Sequence, residues 1–537
     1  MQVETFDFII IGAGTAGCVL ANRLTEDPNT SVLLIEAGGV DNHPILKLPL
    51  FAGVAYNYAP TNWGYTAQEG ENLFGREIPW PRGKVLGGTS SINGMMHIRG
   101  NPDDFDRWAR SGAAGWSYDE VLPYFLKAEG NLDRDGEYHN KNGPFKVTSA
   151  HSPHTLYRTF INACESAGYK YNSDLNGKSQ DGIGRQDFNI HRGRRVSAST
   201  AYLNPIKSRK NIRILTNNHV ARVLFKNSRA IGVECIETRN KKKVNFSVTK
   251  EVIVSAGTVN SPQILQLSGI GDIHLLKKLD IPVVKELPSV GQNLQDHLGA
   301  YVQVSCRKKI SLYNLFRKDR LALAIAQAIL FRTGPATSIP LEAGGFVRAD
   351  EASKLPDFQI TFCPGLSLET TRQGQGRHGY LVHYYLARPK SRGTIEIVSK
   401  DPCAFPLIKP NSLSDPTDLK LMIAGLEIAR NILAQNAFDE VRGMEISPGT
   451  DVSGEDREAH WIKQNATTVW HPTSTCKMGE DNSSVVNSDL KVFGINNLRV
   501  VDASIMPSIT TGNTATPTIM IAEKASDLIK NDHSLLL

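Results

Sequence analysis

The chain has 537 residues, of which 40% are hydrophobic and 21% charged, and its formal net charge is +6. This length indicates two or three domain-sized units, and the composition is that of an ordinary globular protein. This small net charge gives no case for nucleic-acid binding, which needs basic residues concentrated on one face. The short run 241–243 of lysines lies between two β-like segments and is interpreted as a solvated turn.

Seven cysteines are scattered along the sequence, and none has C-x-x-C spacing. Such an odd set argues against a disulfide framework and a zinc site, so we expect no bound metal and a reducing compartment. The N-terminus has no basic region followed by an apolar stretch, so we do not interpret it as a secretory signal. The prediction is a cytoplasmic protein, with a peripheral contact to the inner membrane as the alternative.

The longest apolar helix-like run is Leu321–Phe331. It is far shorter than the roughly 18 to 20 residues that cross a bilayer, so no transmembrane segment is predicted. Arg320 and Arg332 flank the run. The favoured interpretation is a buried helix of the second domain, and the alternative is a helix that lies on a membrane surface.

The first 36 residues predict a strand, a turn, a helix and a second strand. Phe6–Ile11 is an almost continuous apolar run, as expected for a parallel strand that is buried on both faces. Thr15–Thr25 has helical periodicity, and Ser31–Ile35 is a second buried strand. This order is a βαβ unit, so the chain is predicted to open with a doubly wound domain.

A G-x-G-x-x-G sequence follows the first strand directly. Gly12 permits the tight turn, Gly14 lets the backbone approach a pyrophosphate, and Gly17 lets the helix pack against the strand. The N–H groups at the start of the helix, around Thr15 and Ala16, would face the phosphates. Strand, glycines and helix together predict a dinucleotide-binding site.

Glu36 stands at the end of the second strand, about 20 residues after the glycines. Its carboxylate would accept hydrogen bonds from an adenosine ribose, and it would repel the 2′-phosphate of NADP. Ala37 follows it and is included in the predicted cofactor site. The fingerprint alone does not distinguish FAD from NAD.

The middle of the chain has a different pattern, with separate strands at Tyr380–Leu386 and Gly393–Val398 and an amphipathic helix at Leu419–Leu433. The buried-strand signal returns at Leu498–Asp502. The simplest account is a discontinuous dinucleotide-binding domain with a substrate domain inserted into it. We predict residues 1–155, 199–305 and 460–537 for the first domain and residues 156–198 and 306–459 for the second.

A second glycine-rich stretch, Gly83–Gly94, has no strand directly before it. From the residues alone, a loop that approaches a flat ring and a structural turn are equal alternatives. The stretch resembles the first signature of the glucose–methanol–choline oxidoreductase family. Further segments that resemble the family follow in its order, at Gly257–Gly271, Gly291–His297, Trp470–Gly479, Val501–Ser504 and Thr511–Thr514. The sequence resembles the bacterial choline-dehydrogenase-like alcohol dehydrogenases more than the fungal sugar oxidases.

The resemblance implies FAD as the cofactor and an α/β fold, α+β overall. It implies a discontinuous Rossmann-like FAD-binding domain and an inserted substrate-binding domain that contains an antiparallel sheet. Residues expected to line the isoalloxazine are Val85, Asn93, Gly94, Met95 and Met96. Val220 is expected on the adenine side, and Asp502 and Ala503 at the pyrophosphate or ribityl region. Trp63 is expected near the entrance to the site. Trp470 is expected beside the flavin, and Thr514 is included in the predicted cofactor site.

Two positions depart from the family pattern. Some relatives attach the flavin covalently to a histidine, and Ile92 stands at that position here. We therefore expect a non-covalent flavin that denaturation releases. His97 replaces the aromatic residue or alanine usual in the family; a structural histidine is the favoured interpretation, and contact with substrate is the alternative.

The resemblance places His471 in front of the flavin as the catalytic base. A neutral imidazole, with an ordinary pKa of about 6.5, accepts a hydroxyl proton near neutral pH. Asn513 is predicted to donate a hydrogen bond to the developing alkoxide. The implied reaction is oxidation of a primary alcohol to an aldehyde, with hydride transfer to flavin N5.

Alternatives remain within the family and outside it. A hydroxynitrile lyase keeps FAD without using its redox chemistry, a photodecarboxylase-like enzyme is disfavoured by His471, and a non-enzymatic flavin-binding protein is a third class. The sequence does not identify the alcohol substrate. A choline headgroup would need aromatic faces or a carboxylate, for which Trp63 and Glu342 are candidates. Aliphatic or aromatic alcohols are equal possibilities. The electron acceptor is expected to be quinone-like or oxygen, with dehydrogenase favoured over oxidase.

Overall fold

The computed structural model describes residues 3–350, 352–367 and 377–535. Its first large sheet has seven strands, and those near its centre are parallel. Phe8, Ile9 and Ile10 are fully buried there, because helices or loops cover both faces of the sheet. In spatial order the strands are Ile212–Leu215, Val32–Ile35, Glu4–Ile11, Lys243–Val254, Arg229–Glu237 and Asn218–Lys226, with Leu498–Val500 beside Lys243–Val254.

The second large sheet also has seven strands, and all its pairings are antiparallel. Pro416–Ala434 packs on this sheet and contributes Met422, Leu426 and Ala429 to a second hydrophobic core. The antiparallel sheet of the inserted region is therefore confirmed. In spatial order its strands are Arg442–Ser447, Leu298–Cys306, Gly379–Leu386, Phe358–Cys363, Ala343–Val347 and Gly182–Arg185, with Thr467–Thr468 beside Leu298–Cys306.

The first and last long helices pack together, although almost the whole chain separates them. Arg23 donates two 2.8 Å hydrogen bonds to the buried Glu523 and so joins the N-terminal segment to the C-terminal one. The longer helices are Thr15–Leu24, Pro102–Arg110, Tyr118–Ala128, Thr155–Ser166, Gly257–Leu267, Lys318–Leu330, Pro416–Ala434, Glu455–Asn465 and Ala515–Asp532. Shorter ones are Pro44–Lys47, Ala52–Ala55 and Ile273–Lys278.

Short strands complete the fold. They pair as Tyr65–Gln68 with Glu77–Trp80, Ile190–His191 with Arg194–Arg195, Ile270–Gly271 with Lys285–Glu286 and Thr394–Glu396 with Leu407–Lys409. A three-stranded sheet is made of Glu129–Asn131, Phe145–Ser149 and Asp187–Phe188.

The predicted domain boundaries need one correction. The prediction places residues 199–305 and 460–537 in the dinucleotide-binding domain, yet Leu298–Cys306 and Thr467–Thr468 pair within the second sheet. Sequence patterns do not reveal this, because both sheets are built from similar apolar strands. The rest of the division stays a prediction.

The prediction of a buried helix at Leu321–Phe331 is wrong. The helix Lys318–Leu330 lies at the surface, where Leu323 and Leu330 are each 71% exposed and Phe331 is 70% exposed. Only the small side chains Ala324 and Ala328 of this helix are buried. Among the described residues, no helix is both long and apolar enough to cross a membrane.

Candidate active site

A cavity of about 1250 Å³ extends from the glycine loop after the first strand to the segment around His471. It is larger than the roughly 300–1,000 Å³ of typical small-molecule sites, which suits an extended cofactor together with a substrate. Its walls include eighteen of the twenty predicted site residues: Gly12, Gly14, Thr15, Ala16, Glu36, Ala37, Trp63, Asn93, Gly94, Met95, Met96, Val220, Trp470, His471, Asp502, Ala503, Asn513 and Thr514.

The glycine loop forms one end of the cavity. No side chain caps the N-terminus of the helix Thr15–Leu24, so its first N–H groups are available to an anion. A Cβ atom on Gly88 would lie 2.7 Å from the Cα atom of Gly14, so the Gly83–Gly94 stretch touches the glycine loop. A Cβ atom on Gly17 would lie 1.9 Å from the carbonyl oxygen of Gly12, which explains why Gly17 packs against the loop and does not line the cavity.

Glu36 is buried beside this loop. Its carboxylate accepts hydrogen bonds from the backbone N–H groups of Ala13, at 3.0 Å, and Gly38, at 2.8 Å. Burial raises the pKa of Glu36 to about 7, and the two N–H groups act in the opposite direction. A carboxylate held in this way at the cavity wall fits the ribose of a dinucleotide.

Asp502 has a different position from Glu36. It accepts hydrogen bonds from the Gly257 N–H, at 2.8 Å, and the Ser261 hydroxyl, at 2.5 Å, and so holds the start of the helix Gly257–Leu267 against the cavity. Ala503 lines the cavity next to it. Direct contact of these residues with the pyrophosphate or ribityl region stays a prediction.

Trp63 lies at the Val220 end of the cavity. Its ring stacks on Tyr65, with centroids 5.6 Å apart, and it is 5.7 Å from the ring of His219, next to Val220. The Lys84 ammonium sits 4.5 Å above the same ring. Because Lys84 already supplies a cation to Trp63, this ring does not offer a choline headgroup site.

Arg195 holds the second glycine-rich stretch, Gly83–Gly94, in place. Its guanidinium donates to the Asn93 carbonyl, at 2.6 Å, and to the Asn93 side-chain oxygen, at 2.8 Å. Arg195 is buried without an acidic partner among the described residues, and burial lowers its pKa to about 9. Met95 adopts a left-handed backbone conformation, with φ of 60°, in the same loop. No motif in the sequence points to Arg195.

Val85 does not line the cavity with its side chain. It packs in a small core with Leu46, Ala55 and Ile92, and its backbone pairs with Gly39. A contact between Val85 and the isoalloxazine stays a prediction, and such a contact would involve the backbone of Val85. Ile92 lines the cavity and has no nucleophilic atom, which agrees with a non-covalent flavin.

At the other end of the cavity, three side chains form a hydrogen-bonded chain. The Nε2 atom of His297 lies 3.1 Å from the Ala387 carbonyl, and the Nδ1 atoms of His297 and His471 are 3.0 Å apart. A carbonyl only accepts, so His297 Nε2 carries the proton and its Nδ1 accepts from His471 Nδ1–H. His471 Nε2 therefore has a lone pair, and it lies 3.0 Å from the Asn513 amide nitrogen.

The amide of Asn513 is oriented independently. Its oxygen accepts a hydrogen bond from Gln359, at 3.2 Å, so its nitrogen faces His471. Both Asn513 and His471 line the cavity. A proton acceptor and a hydrogen-bond donor thus lie side by side at one point of the wall, which is the arrangement that an alcohol hydroxyl requires.

Asp296 holds the backbone of this histidine. Its carboxylate accepts from the His471 N–H, at 2.7 Å, and from the Thr468 hydroxyl. Trp470, which precedes the histidine, has φ of 63°, and its carbonyl accepts from Arg82 at 2.6 Å. In the sequence the segment Gly291–His297 is only a family signature, and no pattern indicates that its last two residues hold His471.

The histidines at this end are neutral. Burial lowers the pKa of His471 well below its ordinary value, and the nearby His297 and Arg82 act in the same direction. Burial lowers the pKa of His297 to about 3, although the Ala387 carbonyl opposes the shift. A neutral His471 is the protonation state that a base needs.

The cavity wall near His471 includes several aromatic side chains. These are Tyr56, Tyr301, His383 and Tyr385, and the Tyr385 ring centroid lies 6.0 Å from that of His471. The His383 Nε2 atom has no hydrogen-bond partner among the described residues, and burial lowers the pKa of His383 to about 4. Sequence reasoning misses these side chains, because they lie on strands and loops without a motif.

Two candidate residues from the sequence lie outside the cavity. His97 is buried, and its Nδ1 lies 3.2 Å from both the Asn189 amide and the Thr516 hydroxyl, so the structural interpretation holds. Glu342 is also buried; it accepts from the Ser152 N–H at 2.7 Å and pairs with Arg185 at 3.4 Å. Glu342 therefore does not supply a carboxylate for a choline headgroup.

Two family models, both described as GMC oxidoreductase, match residues 6–299 and residues 389–522. The chain belongs to the GMC oxidoreductase family. This GMC oxidoreductase is 41% identical to mitochondrial choline dehydrogenase from Mus musculus over 541 residues, covering 99% of this chain and 90% of that protein. It is 42% identical to oxygen-dependent choline dehydrogenase from Escherichia coli O9:H4 (strain HS) over 535 residues, covering 99% and 96%.

Solved structures of GMC-type flavoenzymes share the fold. Formate oxidase from Aspergillus oryzae RIB40, a structure described for its FAD modification, has a TM-score of 0.93 at 26% identity and covers 99% of this chain and 100% of its own. Pyridoxine 4-oxidase from Mesorbium loti has a TM-score of 0.88 at 29% identity, with 99% and 100% covered. The GMC oxidoreductase described here is an FAD-dependent alcohol oxidoreductase, and its glycine loop, Glu36 and the long cavity fit that cofactor.

Proposed function

We propose that this GMC oxidoreductase oxidises a primary alcohol to the aldehyde, with His471 as the base. The observation that carries the proposal is the hydrogen-bonded chain from Ala387 through His297 to His471. It leaves an unprotonated Nε2 on the cavity wall, 3.0 Å from the Asn513 amide nitrogen.

The two side chains divide the work on the hydroxyl. His471 Nε2 takes the hydroxyl proton, while the Asn513 amide donates a hydrogen bond to the oxygen as negative charge develops. When bound, FAD would accept the α-hydrogen of the alcohol as a hydride. His297 accepts from the opposite nitrogen of His471, so it holds the imidazole in the tautomer that has a free Nε2.

The wall of the substrate end supports a small alcohol with an apolar or aromatic remainder. Tyr56, Tyr301 and Tyr385 offer ring faces, which suit a flat ring and also a quaternary ammonium group. The relatives named above are choline dehydrogenases, so choline belongs among the alcohols to be tested.

The test adds alcohols to the purified holoenzyme without oxygen and follows the visible absorbance of the flavin. The panel contains benzyl alcohol, hexanol and choline, and at least one of them is expected to bleach the flavin in the dark. A hydroxynitrile lyase or a protein that only binds FAD would leave the absorbance unchanged with every alcohol. A photodecarboxylase-like enzyme would consume a fatty acid only in light.

Three further parts of the proposal have separate readouts. Because Ile92 offers no covalent attachment, acid precipitation is expected to release all the flavin into the supernatant. Re-oxidation of the reduced enzyme by oxygen and by a soluble quinone distinguishes the two proposed electron acceptors. Cytoplasmic location, with contact to the inner membrane, is tested by fractionating cells that produce the protein.

A further inference from the structure

The helix Lys318–Leu330 has an unusual surface. Between residues 321 and 330, every exposed position is apolar. These positions recur with helical spacing, so they form one stripe: Ala322, Leu323, Ala326, Ile329 and Leu330. Phe331 continues this stripe at its end, and Phe316, which is 49% exposed, stands just before its start. Surface helices normally turn polar residues outwards, so a continuous apolar stripe of this kind marks a binding surface.

Basic residues surround the stripe. The segment 317–332 contains Arg317, Lys318, Arg320 and Arg332, against the single acidic residue Asp319, so its net charge is +3. Asp319 pairs with Arg317 at 3.0 Å. Lys318, Arg320 and Arg332 lie at exposed positions beside the apolar residues. An apolar stripe with a basic margin is complementary to an anionic lipid surface, which offers acyl chains below and negative headgroups above.

A second copy of the chain fits this surface less well. In a symmetric dimer the same patch would face itself, so two margins of charge +3 would be brought together. The helix is also too short to cross a bilayer, which leaves an orientation parallel to the membrane plane. We propose that the helix Lys318–Leu330 docks this enzyme onto anionic membrane surfaces.

Docking at this helix would bring the cavity near the lipid. The inner side of the helix packs on Leu48, Leu50 and Ala336. Ala52 and Ile339, which follow Leu50 and Ala336 closely along the chain, line the cavity. This consequence rests on the proposed function: an apolar alcohol or a quinone-like acceptor that dissolves in the membrane would then be concentrated close to the site.

The test measures binding of the holoenzyme to sucrose-loaded vesicles by sedimentation. Vesicles of phosphatidylcholine with an equal part of phosphatidylglycerol are compared with vesicles of phosphatidylcholine alone. The wild type is expected to bind the anionic vesicles, and salt should weaken the binding. Leu323→Glu/Leu330→Glu should lower the partition coefficient at least about 10-fold, because both apolar anchors are lost. Arg320→Gln/Arg332→Gln should lower it roughly 20-fold on anionic vesicles only.

Met444→Glu is the matched control, since Met444 is 74% exposed and lies outside this helix. It should bind vesicles like the wild type. All variants should keep their FAD and their rate of flavin reduction by a soluble alcohol, so failure of the alcohol test and failure of docking are separate results. The proposal is overturned if the wild type stays in the supernatant, or if Leu323→Glu/Leu330→Glu sediments with vesicles as the wild type does. It is also overturned if the wild type is a dimer that does not bind vesicles and Leu323→Glu/Leu330→Glu is a monomer.

Discussion

The two ends of the cavity differ in how the chain builds them. The glycine-loop end is built around one continuous segment, residues 4–36, in which a strand, a loop, a helix and a second strand follow each other directly, and Gly88 packs on it from another loop. The catalytic end joins His297, His471 and Asn513, which are separated by 174 and 42 residues. Local spacing predicts most of the first end, while the second exists only when the fold is complete. We therefore expect substitutions at the first end to change cofactor binding and those at the second to change the rate.

The largest effect is expected for His471→Ala. Loss of the base should slow anaerobic flavin reduction by alcohol about 10³-fold, with FAD still bound. Stopped-flow absorbance at saturating alcohol measures this rate. His460→Ala, at an exposed position on the helix Glu455–Asn465, is the control and should reduce at the wild-type rate. Reduction of His471→Ala at the rate of the control would remove the base assignment.

Asn513→Ala should have the next largest effect. It removes one donor to the developing alkoxide but leaves the base, so reduction should slow roughly 100-fold. Asn513→Asp keeps the size of the side chain and replaces the donor with an acceptor, and it should be no faster than the alanine variant. A normal rate in Asn513→Ala would show that the oxygen is held elsewhere.

His297→Leu tests the positioning of the base. With no acceptor opposite its Nδ1, His471 loses its preferred tautomer, and reduction should slow about 10- to 100-fold while the dissociation constant for the alcohol stays the same. His297→Asn should recover most of the rate, because the new amide oxygen would lie near the position of the former Nδ1 atom. If the leucine and asparagine variants are equally slow, His297 has only a packing role.

Glu36→Ala changes the opposite end of the cavity. The carboxylate lies far along the chain from the catalytic residues, and its loss should weaken FAD binding roughly 10-fold. Titration of the apoprotein with FAD, followed by flavin fluorescence, measures the affinity. The reduction rate of the fully loaded variant should match the wild type. A loss of rate without a loss of FAD affinity would contradict the division of labour between the ends.

The smallest effect concerns pH and stability. Burial lowers the pKa of His383 to about 4, whereas an unfolded histidine titrates near 6.5. Below about pH 6.5 the unfolded chain binds a proton that the folded chain does not, so this stability is present above that pH and is lost on acidification. The loss is about 1.4 kcal/mol per pH unit for one such group. The Tm of His383→Gln should therefore fall less than that of the wild type between about pH 7 and pH 5; parallel curves would refute this.

Much of the fold and of the site could be predicted, for reasons that particular residues show. The buried strands Glu4–Ile11 and Val32–Ile35 and the helix between them have strong local patterns. His471 and Asn513 are identified through the family resemblance, and the structure brings them together. His297 and Arg195 escape sequence reasoning because their roles are set by partners distant in sequence, His471 and Asn93.

The environment of the helix Lys318–Leu330 is wrongly predicted for a related reason. Its periodicity is apolar on every side, and this pattern is typical of a buried helix. The alanines at its inner positions allow it to lie flat on Leu48 and Leu50, while its larger residues Leu323 and Leu330 point away from the protein. Periodicity shows that a helix exists, but it does not show what covers it.

A crystal structure of the FAD-bound enzyme with an unreactive alcohol analogue would test directly whether His471 is the base. We expect the analogue's hydroxyl to lie within about 3 Å of both His471 Nε2 and the Asn513 amide nitrogen, with His471 Nδ1 still directed at His297. A hydroxyl held by other side chains, or a His471 ring turned so that Nδ1 faces the alcohol, would contradict it.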